Sequence, residues 1–403
     1  MIHLIQNNWP TKKLGEVSKI RMGETLIKKD LTGDGVSVYS ADSLEKPWGF
    51  TSKNKLEFTR GAIIVGARGT LGSIKLPDDA IFTSTQTTII LSPQQEIVSS
   101  QFLFYYLRKV DFKKLRGGGG IPMLTVNSLN DLEIPLPPLP IQQKIVKVLD
   151  TIQEAIEIQE KIIEKTKELK KSLMAELFKY GAPSFRKGRK LKKTEITEIG
   201  EIPEEWEVVR LEKVVIKMKA GGTPNTSEGK YWGGGIAFTL IEDLVNAGKF
   251  LIKTNASITQ LGLKNSNSWV VPENSIILSL YATVGKPVIN KIPVAITQNM
   301  IGIIPHKEII NLEFLYYVLE NSREKLWKYT DLSVYKHITT SEAKKILIPL
   351  PPLLEQQEIA EILQTIDQKI EIEQKKKELY EELFKTMLNK IMNQEIDVEK
   401  IEI

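Results

Sequence analysis

The stretch IPLPPLPIQQKIVKVL, Ile134 to Leu149, returns as IPLPPLLEQQEIAEIL, Ile348 to Leu363, 214 residues later. A double proline breaks regular structure, and the run of helix formers after it starts a helix. A single proline-rich hexapeptide would carry little weight. Two copies, each leading into a long periodic segment, make the chain an internal repeat.

Working outward, the repeat extends over most of the sequence. WPTKKLGEVSKI from Trp9 resembles WEVVRLEKVVIK from Trp206, an offset of 197. IIVGARGTLG (Ile63 to Gly72) matches IILSLYATVG (Ile276 to Gly285) at 213, and FLFYYL from Phe102 matches FLYYVL from Phe314 at 212. The jump between the first two offsets gives the second copy 16 extra residues between its tryptophan and its central strand. The framework is shared and the early loop region is not.

Within each copy, short β-branched runs bounded by Gly, Pro, Asn and Asp read as strands. One aromatic helix interrupts them, with Ser100 or Asn311 as its expected N-cap. FLFYYL and FLYYVL are expected to be core. Thr339 and Glu342 have the spacing of a capping box. The helix after each double proline is expected over 141–180 and 354–392. The first ends at Gly181 and Pro183. Apolar residues at steps of three and four stripe each long helix, as in a coiled-coil seam. Leu149, Ile156 and Ile163 on the first, and Leu363, Ile370 and Leu379 on the second, are the candidate partner-binding positions. About 40 residues of helix span about 60 Å, so the cheapest partner for the second helix is the first, run antiparallel. The expected fold is α+β: two α/β heads joined by two long antiparallel coiled-coil helices, with pseudo-two-fold internal repeat. Its parts are head one (1–139), helix one (140–181), a basic linker (182–205), head two (206–352), and helix two with the tail (353–403).

Composition excludes several classes. The chain has 403 residues, 41% hydrophobic and 26% charged, as soluble globular proteins do. No apolar run approaches the ~20 residues that span a bilayer, and the first residues do not resemble a secretory signal. A cytoplasmic protein with no membrane association is the simplest expectation. With no cysteine there is no disulfide, thiolate or cysteine-held zinc. His3, His306 and His337 have no metal-ligand spacing. No P-loop, GxGxxG or methyltransferase N/D-P-P-Y/F motif is present, so the reading is a non-catalytic chain needing no cofactor. The net charge of +5 is uneven: +4 over 1–139, +5 over 206–352, and −6 over 353–403. Basic heads suit a polyanion.

Candidate contacts to double-stranded DNA follow. The equivalent turns GARGTLG and LYATVGK offer Arg68 and Thr70, and Tyr281, Thr283 and Lys286, where glycines let backbone approach phosphates or base edges. Arg116 precedes four glycines. YTDLSVYKHITT offers Tyr335, Lys336 and His337 in the matching stretch of head two. Lys28 and Lys29 lie in the divergent loop of head one with Lys46 and Lys53. Thr223 and Lys230 lie in GGTPNTSEGKYW, whose Trp232 is expected to be core. RKGRKLKK (186–193) has six cations in eight residues; it reads as a solvated linker or as a sequence-independent phosphate contact.

EIGEIPEEWEVVRL (Glu198 to Leu211), GGTPNTSEGKYWGGGIAFTLIEDL (Gly221 to Leu244) and the twice-occurring IPLPPL-x-x-Q-Q together resemble the specificity subunit of type I restriction-modification systems. The resemblance covers nearly the whole chain, with Ala237-Phe238 where the family usually has Pro-Trp and GETLIKKDLTGDG in place of GGTP in head one. It implies two target recognition domains reading a split, asymmetric DNA sequence. It also implies helices that hold two adenine methyltransferase subunits, with motor-nuclease restriction subunits joining that core. The other reading open at this point is a stand-alone coiled-coil adaptor with protein-binding heads. Basic heads with unequal loops favour DNA.

Overall fold

The computed structural model describes residues 9–42, 46–115, 123–194, 199–281, 283–326 and 337–401. They form two compact units, Met1–Lys161 with Gln374–Ile403, and Ile162–Glu373. Each unit contains one head.

The first head has two four-stranded sheets. One runs Ser18–Met22, Thr88–Pro93, Ile63–Gly66, Ile74–Lys75, all antiparallel. The other runs Gly49–Thr51, Val36–Tyr39, Ile81–Ser84, Phe58–Thr59, with its central pair parallel. The second head repeats both. Its first sheet runs Val215–Ala220, Met300–Pro305, Ser275–Ser279, Pro287–Asn290. Its second runs Ala256–Ile258, Trp232–Thr239, Val294–Ile296, Val270–Val271, again with a parallel centre. The short helices Ile241–Asn246 and Gln260–Lys264 and the edge strand Phe250–Leu251 are additions of the second head. They lie in the interval where the offsets require extra residues.

The central strands carry consecutive apolar residues, Ile63–Val65 and Ile276–Leu278, because both faces are covered, each by a different layer. In the first head Ile63 and Val65 pack with Phe102 and Leu103 of the aromatic helix, while Ile64 and Ile90 face Tyr39 and Phe82 of the other sheet. In the second, Ile276 and Leu278 pack with Phe314 and Leu315, and Ile277 joins Trp269 and Val288. The aromatic helices are Ser100–Lys109 and Leu312–Leu326. Asn311 Oδ1 caps the second, accepting from Phe314 N at 3.0 Å. The cap of the first is Ser99, one residue before the expected Ser100, whose hydroxyl instead donates to Gly61 O at 2.6 Å.

The repeated Gln-Gln motif has a structural role in both units. Gln142 is fully buried; its amide donates to Pro137 O (2.8 Å) and Ile97 O (3.0 Å) and accepts from Ser99 N (2.8 Å). Gln356 is also fully buried. It donates to Pro351 O (2.8 Å) and Ile309 O (3.0 Å) and accepts from Asn311 N (2.8 Å). One buried amide thus ties the start of each long helix to the cap of the aromatic helix. Such a group is costly to bury unless all of it is satisfied.

The long helices are Leu139–Tyr180 and Leu353–Met392, within two residues of expectation. They run antiparallel within each unit. In the first, Lys377 meets Glu160 at 2.8 Å and Lys144 Nζ donates to Glu399 O at 2.6 Å, while Arg108 lies over the Phe384 ring. In the second, Lys170 meets Asp367 at 2.5 Å and Ala182 N donates to Glu355 at 3.1 Å. Among the described residues, no helix is long and apolar enough to cross a membrane.

The basic stretch 186–193 is partly internal. Arg189 forms a bidentate pair with the fully buried Glu355, which also accepts from Trp206 Nε1 at 3.0 Å. Arg186 pairs with Glu176, and Lys192 donates to the carbonyls of Glu204 and Trp206 at 2.6 Å each. At least these three cations have partners within the fold.

Candidate nucleic-acid interface

The two glycine turns share one hydrogen-bond frame. In the first head, Gly66 N donates to Ser73 O, Gly72 N to Gly66 O and Ser73 N to Thr70 O. In the second, Ser279 N donates to Lys286 O, Gly285 N to Ser279 O and Lys286 N to Thr283 O. Gly72 and Gly285 have φ of +75° and +74°, a region where a side chain is strained. Each turn is fastened at its base, by Ala67 N on Thr87 O with Leu124 N on Ala67 O, or by Leu280 N on Asn299 O with Ile338 N on Leu280 O.

Different side chains stand on this common frame. Arg68, Gly69 and Thr70 are exposed at the first tip, where Arg68 Nη2 lies 3.6 Å from Met123 Sδ. At the second tip, Tyr281 takes the place of Arg68 and stacks on His337, with ring centroids 5.2 Å apart and planes 4° from parallel. Arg68 with Met123 and Tyr281 with His337 are therefore equivalent pairs, a cation in one head and a planar stack in the other. Thr283 is half-buried, with its hydroxyl 3.3 Å from Ser279 Oγ.

Lys286 is engaged differently. Its ammonium donates to the carbonyls of Leu244 (2.6 Å), Val245 (3.0 Å) and Ala247 (2.6 Å), closing the C-terminal end of the helix Ile241–Asn246. Burial pushes its pKa down. Lys230 is exposed and pairs with Glu228 at 3.0 Å. Trp232 is half-buried, its ring edge-on to Phe238. Lys28 and Lys29 are exposed on a single helical turn closed by Ile27 N on Asp30, and Lys46 and Lys53 are exposed as well. Arg116, Tyr335 and Lys336 lie outside the described residues. Thr339 and Glu342 form the expected capping box, and the Thr339 backbone N–H holds the Glu342 carboxyl below its usual range.

A third segment completes each surface; of its residues, sequence reading singles out Thr223 and neither glutamine. Thr223 Oγ1 donates to Gln298 Oε1 at 2.5 Å, and Thr25 Oγ1 donates to Gln86 Oε1 at 3.1 Å. The signal available was Thr-Gln at 85–86 and again at 297–298, each just before a central strand. Each glutamine adjoins the residue, Thr87 or Asn299, that anchors the glycine turn.

The long helices carry a separate feature. Leu149, Ile156, Ile163 and Leu363 are buried by the chain's own packing, and Ile370 is half-buried. A seam that closes a helix pair does not also face outward. Away from the helix starts, the exposed aliphatic residues are Ile158, Ile162 and Leu169 on the first helix, and Ile372, Leu379 and Leu383 on the second; Leu353 and Leu354 are exposed at the start of the second. Steps of four and seven put each set on one face. Ile158 and Ile372 correspond at the offset of 214, Leu169 and Leu379 at 210.

Comparison with known proteins gives one result. The model of the type I restriction modification DNA specificity domain matches residues 6–168 and 203–382. The type I restriction enzyme MjaVIII specificity subunit of Methanocaldococcus jannaschii is 29% identical over 419 residues, covering 98% of this chain and 95% of that one. The solved S subunit of a type I restriction-modification system from M. genitalium superimposes with a TM-score of 0.57 at 18% identity, covering 96% of this chain and 97% of that one. A chain from a structure of type I R-M complex assembly and conformational transition reaches 0.62 at 20% identity, covering 96% and 98%. Both share the fold.

Proposed function

The chain belongs to the family of type I restriction-modification DNA specificity subunits, and we propose that its two heads read the two unlike halves of one interrupted DNA target. The observation that carries this is the identical turn frame with different tips: Arg68 and Thr70 in one head, Tyr281 stacked on His337 in the other. A rigid common frame places side chains at one depth, and different donors and rings there select different bases. Lys28, Lys29 and Lys230 add phosphate contacts, which give affinity without sequence information. Arg116, Tyr335 and Lys336 belong to the same proposal through their places in the sequence. Lys286 acts indirectly, by holding the inserted helix beside the turn.

The chain supplies recognition and no chemistry. Two adenine methyltransferase subunits dock on the long helices through the exposed faces around Ile158 and Ile372, one copy for each repeat of that face. The motor-nuclease subunits join through them. The test is the methylome of cells expressing the full chain with its methyltransferase partner. The expected product is a motif of two unlike half-sites around an unread spacer. A continuous motif, or two identical halves, would overturn the proposal.

A further inference from the structure

We propose that Gln86 and Gln298 are equivalent base-reading residues, each taking the N6/N7 edge of an adenine in the major groove of its half-site. The inference rests on the reading of the heads as DNA-binding. It starts from an identity that the unlike tips of the heads do not share.

The backbone around each glutamine is the same. Thr88 N donates to Thr85 O and Met300 N to Thr297 O, so each glutamine occupies the second position of a closed four-residue turn. Gly23 N donates to Thr88 O and Glu24 N to Ser84 O; Gly221 N donates to Met300 O and Gly222 N to Ile296 O. These bonds lay the loop after the first strand of the sheet alongside the glutamine turn. Close approach is essential to it: a Cβ on Gly23 would stand 2.2 Å from Thr85 O, and one on Gly221 2.0 Å from Ile296 O. The loop delivers Thr25 or Thr223, whose hydroxyl donates to the glutamine Oε1.

Both glutamines are exposed, and among the described residues each amide has the threonine as its hydrogen-bond partner. A glutamine kept to brace the turn would turn its amide onto nearby carbonyls, as Gln142 and Gln356 do. Here one lone pair of Oε1 is used to fix the side chain, which leaves the other lone pair and both Nε2 hydrogens of an exposed amide available to a ligand. One acceptor beside one donor, held in a plane, is the complement of adenine N6–H and N7. Fixing the rotamer beforehand removes ordering cost at binding. The same reader in both heads gives both half-sites one A·T pair at the matched position, and the unlike tips give the rest of each half its own sequence.

The test uses the full chain with its methyltransferase partner and reads the methylated motif, with a melting curve as folding control. Gln298→Ala should lose discrimination at one position of one half-site by about 10- to 100-fold, leaving the other half-site intact. Gln86→Ala should do the same in the other half. Gln298→Glu keeps the shape but only accepts, so its preference at that position should move from A·T toward C·G. Thr223→Val should weaken discrimination at the same position without changing the preferred base, as befits a positioning residue. A folded Gln298→Ala chain with an unchanged motif would overturn the inference. So would uniform weakening on all duplexes with no change of preferred base, the mark of a phosphate contact, which for a neutral amide leaves the salt dependence unchanged. If the unsubstituted chain yields no motif, the DNA-reading proposal itself falls; a wild-type motif insensitive to both glutamines sinks the adenine assignment alone.

Discussion

Replacing Glu355 by alanine tests how the second unit is held together. The carboxylate is fully buried and accepts from both nitrogens of the Arg189 fork, from Trp206 Nε1 and from Ala182 N. Arg189 is 5% exposed and keeps its Nε pair with Glu205 at 2.6 Å, so removing Glu355 leaves a buried cation only partly compensated, toward the low end of about 3–5 kcal/mol. The orphaned indole and backbone N–H add to this, although the relaxation that admits water to one admits it to all. A loss of about 4 kcal/mol is expected, a large part of the ~5–15 kcal/mol that a domain has. Urea unfolding of the full chain, with hydrogen exchange resolved along the sequence, measures it. Exchange should accelerate over 181–211 and 346–363 and stay unchanged over 100–150. In the first unit the equivalent position is Ile141, packed at the edge of the apolar core. The paired change Arg189→Met with Glu355→Leu should recover the part of the loss that comes from the buried cation, because apolar residues often replace a buried pair without penalty, and leave the part that comes from the orphaned indole and backbone N–H. A loss below about 1 kcal/mol in Glu355→Ala, or equal acceleration in both units, would refute the argument.

Lys286→Met removes three charge-assisted bonds to the end of the helix Ile241–Asn246 and should cost about 1–3 kcal/mol, seen as faster exchange over 241–251. Because its folded pKa is lowered, Glu342 contributes stability above its ordinary value of 4.5, lost as pH falls through the folded value; exchange of the Thr340–Lys344 turn should rise between pH 5 and 3, and Glu342→Gln should remove that dependence. Ile158→Asp or Ile372→Asp alone should lower the methyltransferase count from two to one in native mass measurements and leave unfolding curves within about 0.5 kcal/mol of the parent. Four residues inserted near Lys165 add about 6 Å of helix; the methylated motif should keep both half-sites while its spacer grows by one or two base pairs at ~3.4 Å each, and an unchanged spacer would show that helix length does not set it.

The fold was legible where one physical rule acts along the chain. The double proline followed by a periodic run placed both long helices within two residues of their observed starts. The offsets confined the extra residues of the second head to the interval that holds Ile241–Asn246 and Gln260–Lys264. The buried faces of the central strands were harder to assign, because IIVG and SIILS lack alternation when both faces are covered. Partners distant in sequence left no local trace. Nothing around Arg189 distinguishes it from its five neighbouring cations, yet it alone meets Glu355, 166 positions away. The run therefore looked uniformly solvated or uniformly DNA-facing, and it is neither.

The same distinction governs the functional surfaces. Periodicity finds residues that face one direction on a helix; it does not say whether that direction is the chain's own interior. Leu149, Ile156 and Leu363 obey the stripe because they close the packing of their units, so the outward face had to be sought at the apolar positions that break it. Ile158 and Ile372 are such positions, and they correspond across the repeat. At the glycine turns proposed to face DNA, composition draws attention to cations and rings. A neutral glutamine pinned by a threonine has no compositional signal, since Thr and Gln lie 61 and 75 positions apart in the two heads. Only the folded sheet brings them together. If cations set affinity and fixed neutral amides set sequence, the two contributions should separate in salt. Rising ionic strength should lower affinity for every duplex by a common factor and leave the preferred motif unchanged.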